Sequence, residues 1–284
     1  MRLLAPTVLA IGLILTQPAI GSDGPPQRIV SAGGDLTEII YALGASDRLV
    51  GVDSTSTYPE SVSEKAQIGY VRRVSSEGVL SLKPDLVLGA DDMGPPAVVD
   101  QLRAAGVAVE LAPKDDGRDG VASKIRFVGR HLKLEAAAEK LARQVDADMK
   151  AEIEKAAQTT SRPRVLFVLA VSEGGLMSGG DDSSAAHIIE LAGGVNAATG
   201  FTGYKTLSLE SVMQAQPDIV LMMEGGAARA GGIEEVLKRP ELALTPAGIK
   251  QQFVTMDGML LLGFGPRTPA AIAQLSTALH QYGN

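Results

Sequence analysis

One unit occurs twice in this chain, and it limits the possible folds more than any other feature. In the first half, Ser75-Ser76-Glu77 leads through Val79-Leu80 to Pro84-Asp85 and the apolar run Leu86-Val87-Leu88. In the second half, Leu209-Glu210 leads through Val212-Met213 to Pro217-Asp218 and Ile219-Val220-Leu221. Glutamate and proline stand seven residues apart in both copies. Proline stops a helix and aspartate suits the turn that follows, so each copy reads as a short helix, a turn and a buried strand. A single copy is an ordinary α/β connector. Two copies at one spacing imply two lobes built alike.

The rest of the chain follows the same grammar. The first half predicts strands over 28–32, 49–53, 86–89 and 107–111, with helices over 35–43, 76–82 and 101–105. In the first of these helices Leu36, Ile39, Ile40 and Leu43 share a face, and Gly44 closes it. The second half predicts strands over 164–169, 219–222 and 253–256, with helices over 184–191, 209–215 and 233–238. Strands alternating with helices indicate α/β lobes with mostly parallel sheets. Between the halves, 134–158 contains neither glycine nor proline and places Leu141, Val145 and Met149 at helical spacing. A helix of that length would run roughly 37 Å. It reads as a rigid connector, the alternative being a long surface helix within one domain.

The N-terminus reads as a secretory leader. Arg2 precedes an almost wholly apolar stretch over 3–15, and Ala19-Ile20-Gly21 fits a cleavage site. The apolar stretch is short for a membrane span, and Pro18 and Gly21 follow it. The expected organisation is therefore a leader over 1–21, a first lobe over 22–133, the connecting helix over 134–158 and a second lobe over 159–284. Arg2 is the sole charge in the leader, so the mature chain would be one unit more acidic than the −7 of the whole. That balance argues against a nucleic-acid surface. With no cysteine, the chain has no disulfide, thiolate metal site, cysteine nucleophile or lipidated cysteine. The expected location is the periplasm, as a free soluble protein. Aromatic residues make up 4% of the chain and tryptophan is absent, which disfavours a sugar-stacking cleft.

Enzyme classes find little support. Asp91-Asp92 and Asp181-Asp182-Ser183-Ser184 read as turns and helix caps. No G-x-S-x-G, Walker loop or H-E-x-x-H motif is present. Gly33-Gly34 precedes a helix without the full dinucleotide fingerprint. His131, His187 and His280 are far apart in sequence, which makes zinc or manganese capture a poor reading.

Three strings carry a narrower resemblance. They are Arg28-Ile-Val-Ser-Ala-Gly-Gly-Asp-Leu-Thr-Glu38, Gln67-Ile-Gly-Tyr70-Val-Arg72-Arg73-Val-Ser-Ser-Glu77 with Pro84-Asp85, and Leu260-Leu-Leu-Gly-Phe264-Gly-Pro266-Arg267-Thr268-Pro269. The chain resembles the cobalamin, siderophore and haem binders of ABC importers over essentially its whole mature length. The Gly-Tyr-x-Arg and Gly-Phe-Gly-Pro-Arg strings point to the haem-binding members. The resemblance implies a class III periplasmic binding protein, with two Rossmann-like lobes joined by one long backbone helix. It implies a carrier and not an enzyme. The cargo would be ferric haem, one per chain, delivered by a monomer to an ABC permease with its ATPase subunits. A ferric siderophore or a corrinoid is the alternative cargo on the same fold.

The resemblance also implies residue roles. Tyr70 would bind the haem iron, a phenolate being a hard anionic ligand suited to ferric iron. Read from the residues alone, Tyr70 is a half-buried loop tyrosine. Arg72, two positions on and on the same side in an extended loop, would hydrogen-bond the phenolate oxygen. Arg73 points the other way and either reaches a propionate or stands in solvent. Arg267 either meets a propionate or clamps carbonyls of its own turn. Glu77 and Glu210, one on each lobe, would dock to permease arginines, though each alone fits the first turn of a helix. Val71, Met93, Met177, Met223, Met259 and Phe264 are candidates for apolar lining. The expected histidine position after 164–169 reads Ala170-Val171-Ser172-Glu173, so a second iron ligand is not expected. Tyr204 is the remaining candidate for one, and His187 reads as structural. A single stiff connector implies modest closure between ligand-free and loaded forms.

Overall fold

The computed structural model describes residues 24–114 and 117–282; the leader expected over 1–21 lies outside the described residues. Its strands are β1 (Ile29–Ala32), β2 (Leu49–Val52), β3 (Ala66–Gln67), β4 (Gly69–Tyr70), β5 (Arg73–Val74), β6 (Leu86–Gly89) and β7 (Ala108–Leu111), followed by β8 (Arg164–Ser172), β9 (Gly175–Gly179), β10 (Val195–Asn196), β11 (Tyr204–Leu207), β12 (Ile219–Met223) and β13 (Phe253–Met256). The first sheet has the order β3-β2-β1-β6-β7, with every pairing parallel. Strands β1 and β6 are buried along their whole length, as expected where helices cover both faces. The fold is α/β, as the alternating pattern predicts.

The second sheet departs from that pattern. Its order is β11-β9-β8-β12-β13, with β10 also beside β8. Pairings of β8 with β10 and β12, and of β12 with β13, are parallel. Those of β8 with β9 and of β9 with β11 are antiparallel. The strand expected over 164–169 continues to Ser172 and reverses through Glu173-Gly174. Gly175 sits at φ +126°, and a Cβ there would stand 2.3 Å from the Leu207 carbonyl oxygen. Only a bare glycine lets β11 approach so closely. Two helices, Gly120–Leu132 and Thr268–His280, were also not anticipated, although Val121, Ile125, Val128 and Leu132 fall on one buried face of the first.

The repeated unit returns with the same cap, turn and Asp–Arg exchange in both copies. Ser75 caps the helix Ser76–Ser81 by accepting from Gly78 N, and Ser208 caps Leu209–Ala215 by accepting from Ser211 N. Lys83 and Gln216 then take left-handed φ values of 47° and 43°. The Asp85 carboxylate accepts from the backbone of Gln27 and Arg28, and the Asp218 carboxylate from the backbone of Arg164. Arg28 and Arg164 return side-chain bonds to carbonyls at the end of their own copy's helix or just beyond it. Each half is thus tied at the start of its first strand by one Asp–Arg exchange.

The helix Glu135–Ala156 follows the first sheet and precedes the second. At 1.5 Å per residue it is about 33 Å long. Ala138, Ala142, Val145, Met149 and Ala156 form its buried face. It packs on Gly120–Leu132 from the first half and on Thr268–His280 from the second. A Cβ on Gly129 would meet the Ala138 Cβ at 2.1 Å, so glycine sets the closeness of the first of these contacts. One continuous core runs through both halves, from Ile29, Leu36 and Ile125 to Phe167, Ile188 and Leu275.

Two ion pairs cross or brace this junction. Arg267, near the end of the chain, grips Glu38 with two parallel bonds, Nε to Oε2 at 2.9 Å and Nη2 to Oε1 at 2.5 Å. Lys124 is buried against Asp35 at 2.7 Å and also donates to the Gly263 carbonyl at 3.2 Å. Burial holds the Glu38 carboxyl above its ordinary range despite the pull of Arg267. The same contact raises Arg267, so the pair attracts while burial of the carboxylate takes back part of the gain. Arg267→Ala leaves Glu38 buried and unpaired, and is expected to cost about 3 kcal/mol in urea unfolding at pH 7. A raised carboxyl gains its proton earlier as pH falls, so the difference from wild type should shrink by pH 5. A difference unchanged over that range would count against an ionised Glu38.

Candidate ligand-binding cleft

A cleft of about 790 Å³ is lined by residues from both halves. Its walls begin where strands end: Gly33 after β1, Ser54 after β2, Ala90 after β6 and Ala112 after β7 on one side, Met223 at the end of β12 and Asp257 after β13 on the other. Loops beyond the carboxyl ends of parallel strands are where α/β sheets bind ligands. The first wall is fixed from within by Asp53, which is fully buried. Its carboxylate accepts from Gly33 N, Thr55 N, Thr55 Oγ1 and Ser56 Oγ. Six lining residues are glycines, Gly33 and Gly34 on one wall and Gly225, Gly226, Gly258 and Gly263 on the other, so much of the surface is bare backbone.

Tyr70 enters the cleft from a tight hairpin. Strands β4 and β5 pair antiparallel with Tyr70 opposite Arg73, and Val71-Arg72 forms the turn. Val71 is buried in the core of the first half and anchors that turn. The Val71 carbonyl accepts from Gly94 N, and the Gly94 carbonyl accepts from Val74 N, so the hairpin is sewn to a second loop. Tyr70 is 40% exposed, its ring within reach of a ligand. Arg72 donates to the Tyr70 hydroxyl and pairs with the Asp92 carboxylate, its Cζ 5.6 Å from the Tyr70 ring centre. Burial works against the Arg72 charge, but Asp92 and Tyr70 outweigh it and hold the guanidinium above its ordinary range. Asp92, read from sequence as part of a turn, is therefore the group that orients Arg72.

The cleft brings together Tyr70, Val71, Arg72, Tyr204, Met223 and Met259. The other candidates stand elsewhere. Met93 is 4% exposed and fills the space over Gly89, where a Cβ would lie 2.5 Å from its sulfur. Phe264 is a fully buried core residue. Met177 projects from β9 on an exposed surface outside the cleft. Arg73 is exposed and is not among the residues that line the cleft. Arg267 meets neither cleft nor its own turn's carbonyls, because Glu38 occupies its guanidinium and the Tyr58 ring stacks on it at 3.9 Å. Glu77 and Glu210 are exposed in the first turns of the two matched helices. Tyr204 lies on β11, edge-on to Phe167 at 6.5 Å. Arg229 lines the cleft at the end of helix Glu224–Arg229 and was missed in the sequence. Its position directly after β12, on the ligand side of the second sheet, was the available signal.

Residues 29–260 match the periplasmic binding protein family. The chain belongs to this family. Such proteins bind and hand over solutes, so the chain is an extracytoplasmic binding protein and not an enzyme. The periplasmic haem-binding protein RhuT of Roseiflexus sp. RS-1, in its apo form, is 41% identical with a TM-score of 0.88, over 91% of this chain and 99% of that one. The periplasmic haem-binding protein BhuT, solved with two haems, is 37% identical with a TM-score of 0.87, over 92% of this chain and all of that one. An uncharacterised ABC transporter substrate-binding lipoprotein of Bacillus subtilis, YvrC, is 29% identical over 90% of this chain and 80% of its own. Among the described residues no helix is long and apolar enough to cross a membrane, and no cluster of three or more His, Asp or Glu is arranged to hold a metal ion.

The bare walls predict their own sensitivity. A Cβ on Gly34 would stand 2.6 Å from the Thr55 carbonyl oxygen and 2.7 Å from the Met259 sulfur. Gly34→Ala is expected to destabilise the protein by about 1–3 kcal/mol, read as a lower urea midpoint at unchanged slope. Full retention of stability would mean that the two halves separate here with little resistance.

Proposed function

We propose that this protein carries ferric haem in the periplasm and delivers it to an ABC permease and its ATPase subunits. The leader over 1–21 would export it, and the lobes over 22–133 and 159–284 would flank the connecting helix over 134–158. The observation that carries this reading is the Tyr70 hydroxyl, exposed in the cleft with the Arg72 guanidinium donating to it. The guanidinium donates to the oxygen that would bind ferric iron and fixes where it points. The opposed glycine walls suit a flat macrocycle, and Val71, Leu169, Met223, Met259 and Leu262 supply apolar contact to its faces. RhuT and BhuT, both named as haem binders, support the same cargo.

In this reading Tyr70 alone binds the iron of one haem. No histidine is among the described residues that line the cleft. Arg72 orients the phenol oxygen by donating to it, and Asp92 keeps Arg72 in place. Glu77 and Glu210 dock to the permease, one from each half. Their matched helices, matched caps and equal exposure support paired roles.

Titration of the protein with hemin is expected to saturate at one equivalent with a tyrosinate-type ferric spectrum, and Tyr70→Ala and Tyr70→Phe to lose that spectrum. Saturation at two equivalents, the stoichiometry in the BhuT complex, would keep the function and overturn the single haem. Absence of binding by the wild type would shift the reading to a ferric siderophore or a corrinoid. For docking, the Glu77→Ala/Glu210→Ala double variant should bind haem normally yet stimulate the ATPase of the reconstituted importer at least about tenfold less. Undiminished stimulation would remove both glutamates from the interface.

A further inference from the structure

Three cations line the cleft, and two are already committed. Arg72 is shared between Tyr70 and Asp92. Lys124 is buried against Asp35 and the Gly263 carbonyl. Arg229 is the third. It is exposed at the end of helix Glu224–Arg229, and among the described residues it makes no hydrogen bond or ion pair. A Cβ on Gly225 would stand 3.4 Å from its Nη1, so the guanidinium lies back along the glycine wall of the cleft. The two arginines first considered for an anionic ligand group stand outside the lining: Arg73 is not among the cleft residues, and Arg267 is held by Glu38.

We propose that Arg229 receives a carboxylate of the bound tetrapyrrole. This rests on the haem reading above and adds to it the partner of the ligand's acidic edge. Tyr70 comes from the first half of the chain and Arg229 from the second, so iron and carboxylate are held by opposite walls. A guanidinium fits a carboxylate with two parallel bonds, and Arg229 has its donors unspent. The bound haem then has one preferred rotation about the iron–oxygen bond, with its propionate edge toward helix Glu224–Arg229.

The test compares hemin with its dimethyl ester, which keeps the iron and macrocycle but removes both carboxylates. Release to excess apomyoglobin is timed for wild type, Arg229→Ala and Arg229→Lys. Arg229→Ala is expected to lose hemin roughly tenfold faster, because loss of a charge-assisted rim contact appears mainly in dissociation. The ester should leave wild type and Arg229→Ala at the same rate, Arg229→Lys should recover part of the hemin retention, and the tyrosinate absorption should be unchanged throughout. Equal hemin release from wild type and Arg229→Ala, or equal acceleration of hemin and ester, would overturn the assignment while leaving haem carriage intact. Failure of wild type to bind either compound would overturn both.

Discussion

Glu38 lies in the first helix of the chain and Arg267 near its last, and their two-bonded pair closes the molecule across 229 positions of sequence. Much else depends on this clasp. It sits beside the buried Lys124–Asp35 pair, whose lysine also reaches Gly263, so the cleft floor is tied from both halves. Behind it the core is continuous, and the helix Glu135–Ala156 packs on a helix of each half. A carboxylate that burial disfavours is retained because its partner arrives from the other end of the chain. The cost is local, and its return is a cleft whose walls stand at a set separation.

The site divides its charges between structure and ligand. Arginine and lysine side chains that face the cleft are mostly spent on protein partners, which leaves, among the described residues, a glycine-walled slot with two phenols, Tyr70 and Tyr204, and one uncommitted guanidinium. A cleft lined by several free cations would suit highly charged chelates; this one sets the Arg72-bonded Tyr70 oxygen among apolar contacts.

Much of this was legible in the sequence, and the reasons differ by residue. The repeated helix–Pro-Asp–strand unit depends on local chemistry, so it could be read directly and returned as matched caps and matched Asp–Arg exchanges. Tyr70 and Arg72 were legible because they stand two positions apart, although the structure places Arg72 in a turn and not on an extended strand, from which it still reaches the Tyr70 hydroxyl. Strands β9 and β11 were not, because β9 is a five-residue strand with glycine at both ends and β11 has four residues, too few to leave a periodic trace. Arg267 and Met93 were misplaced for another reason. Their surroundings are set by Glu38 and Gly89, residues that no local pattern connects to them. Asp92 and Arg229 draw their roles from contacts and topology, which a linear pattern of residue types does not carry.

The hairpin that bears Tyr70 runs without a break into the capped helix that bears Glu77. Between them lie the β5 residues Arg73 and Val74, the latter buried, and the cap Ser75. Tyr70 and Glu77 stand seven positions apart on one strap, held at buried Val71 and Val74 and at the cap Ser75. A tug on the helix at the protein's surface therefore reaches the phenol in the cleft directly, with no need for the halves to swing apart. Surface helix and cleft phenol are thus coupled along the chain itself, independently of any bending of the spine.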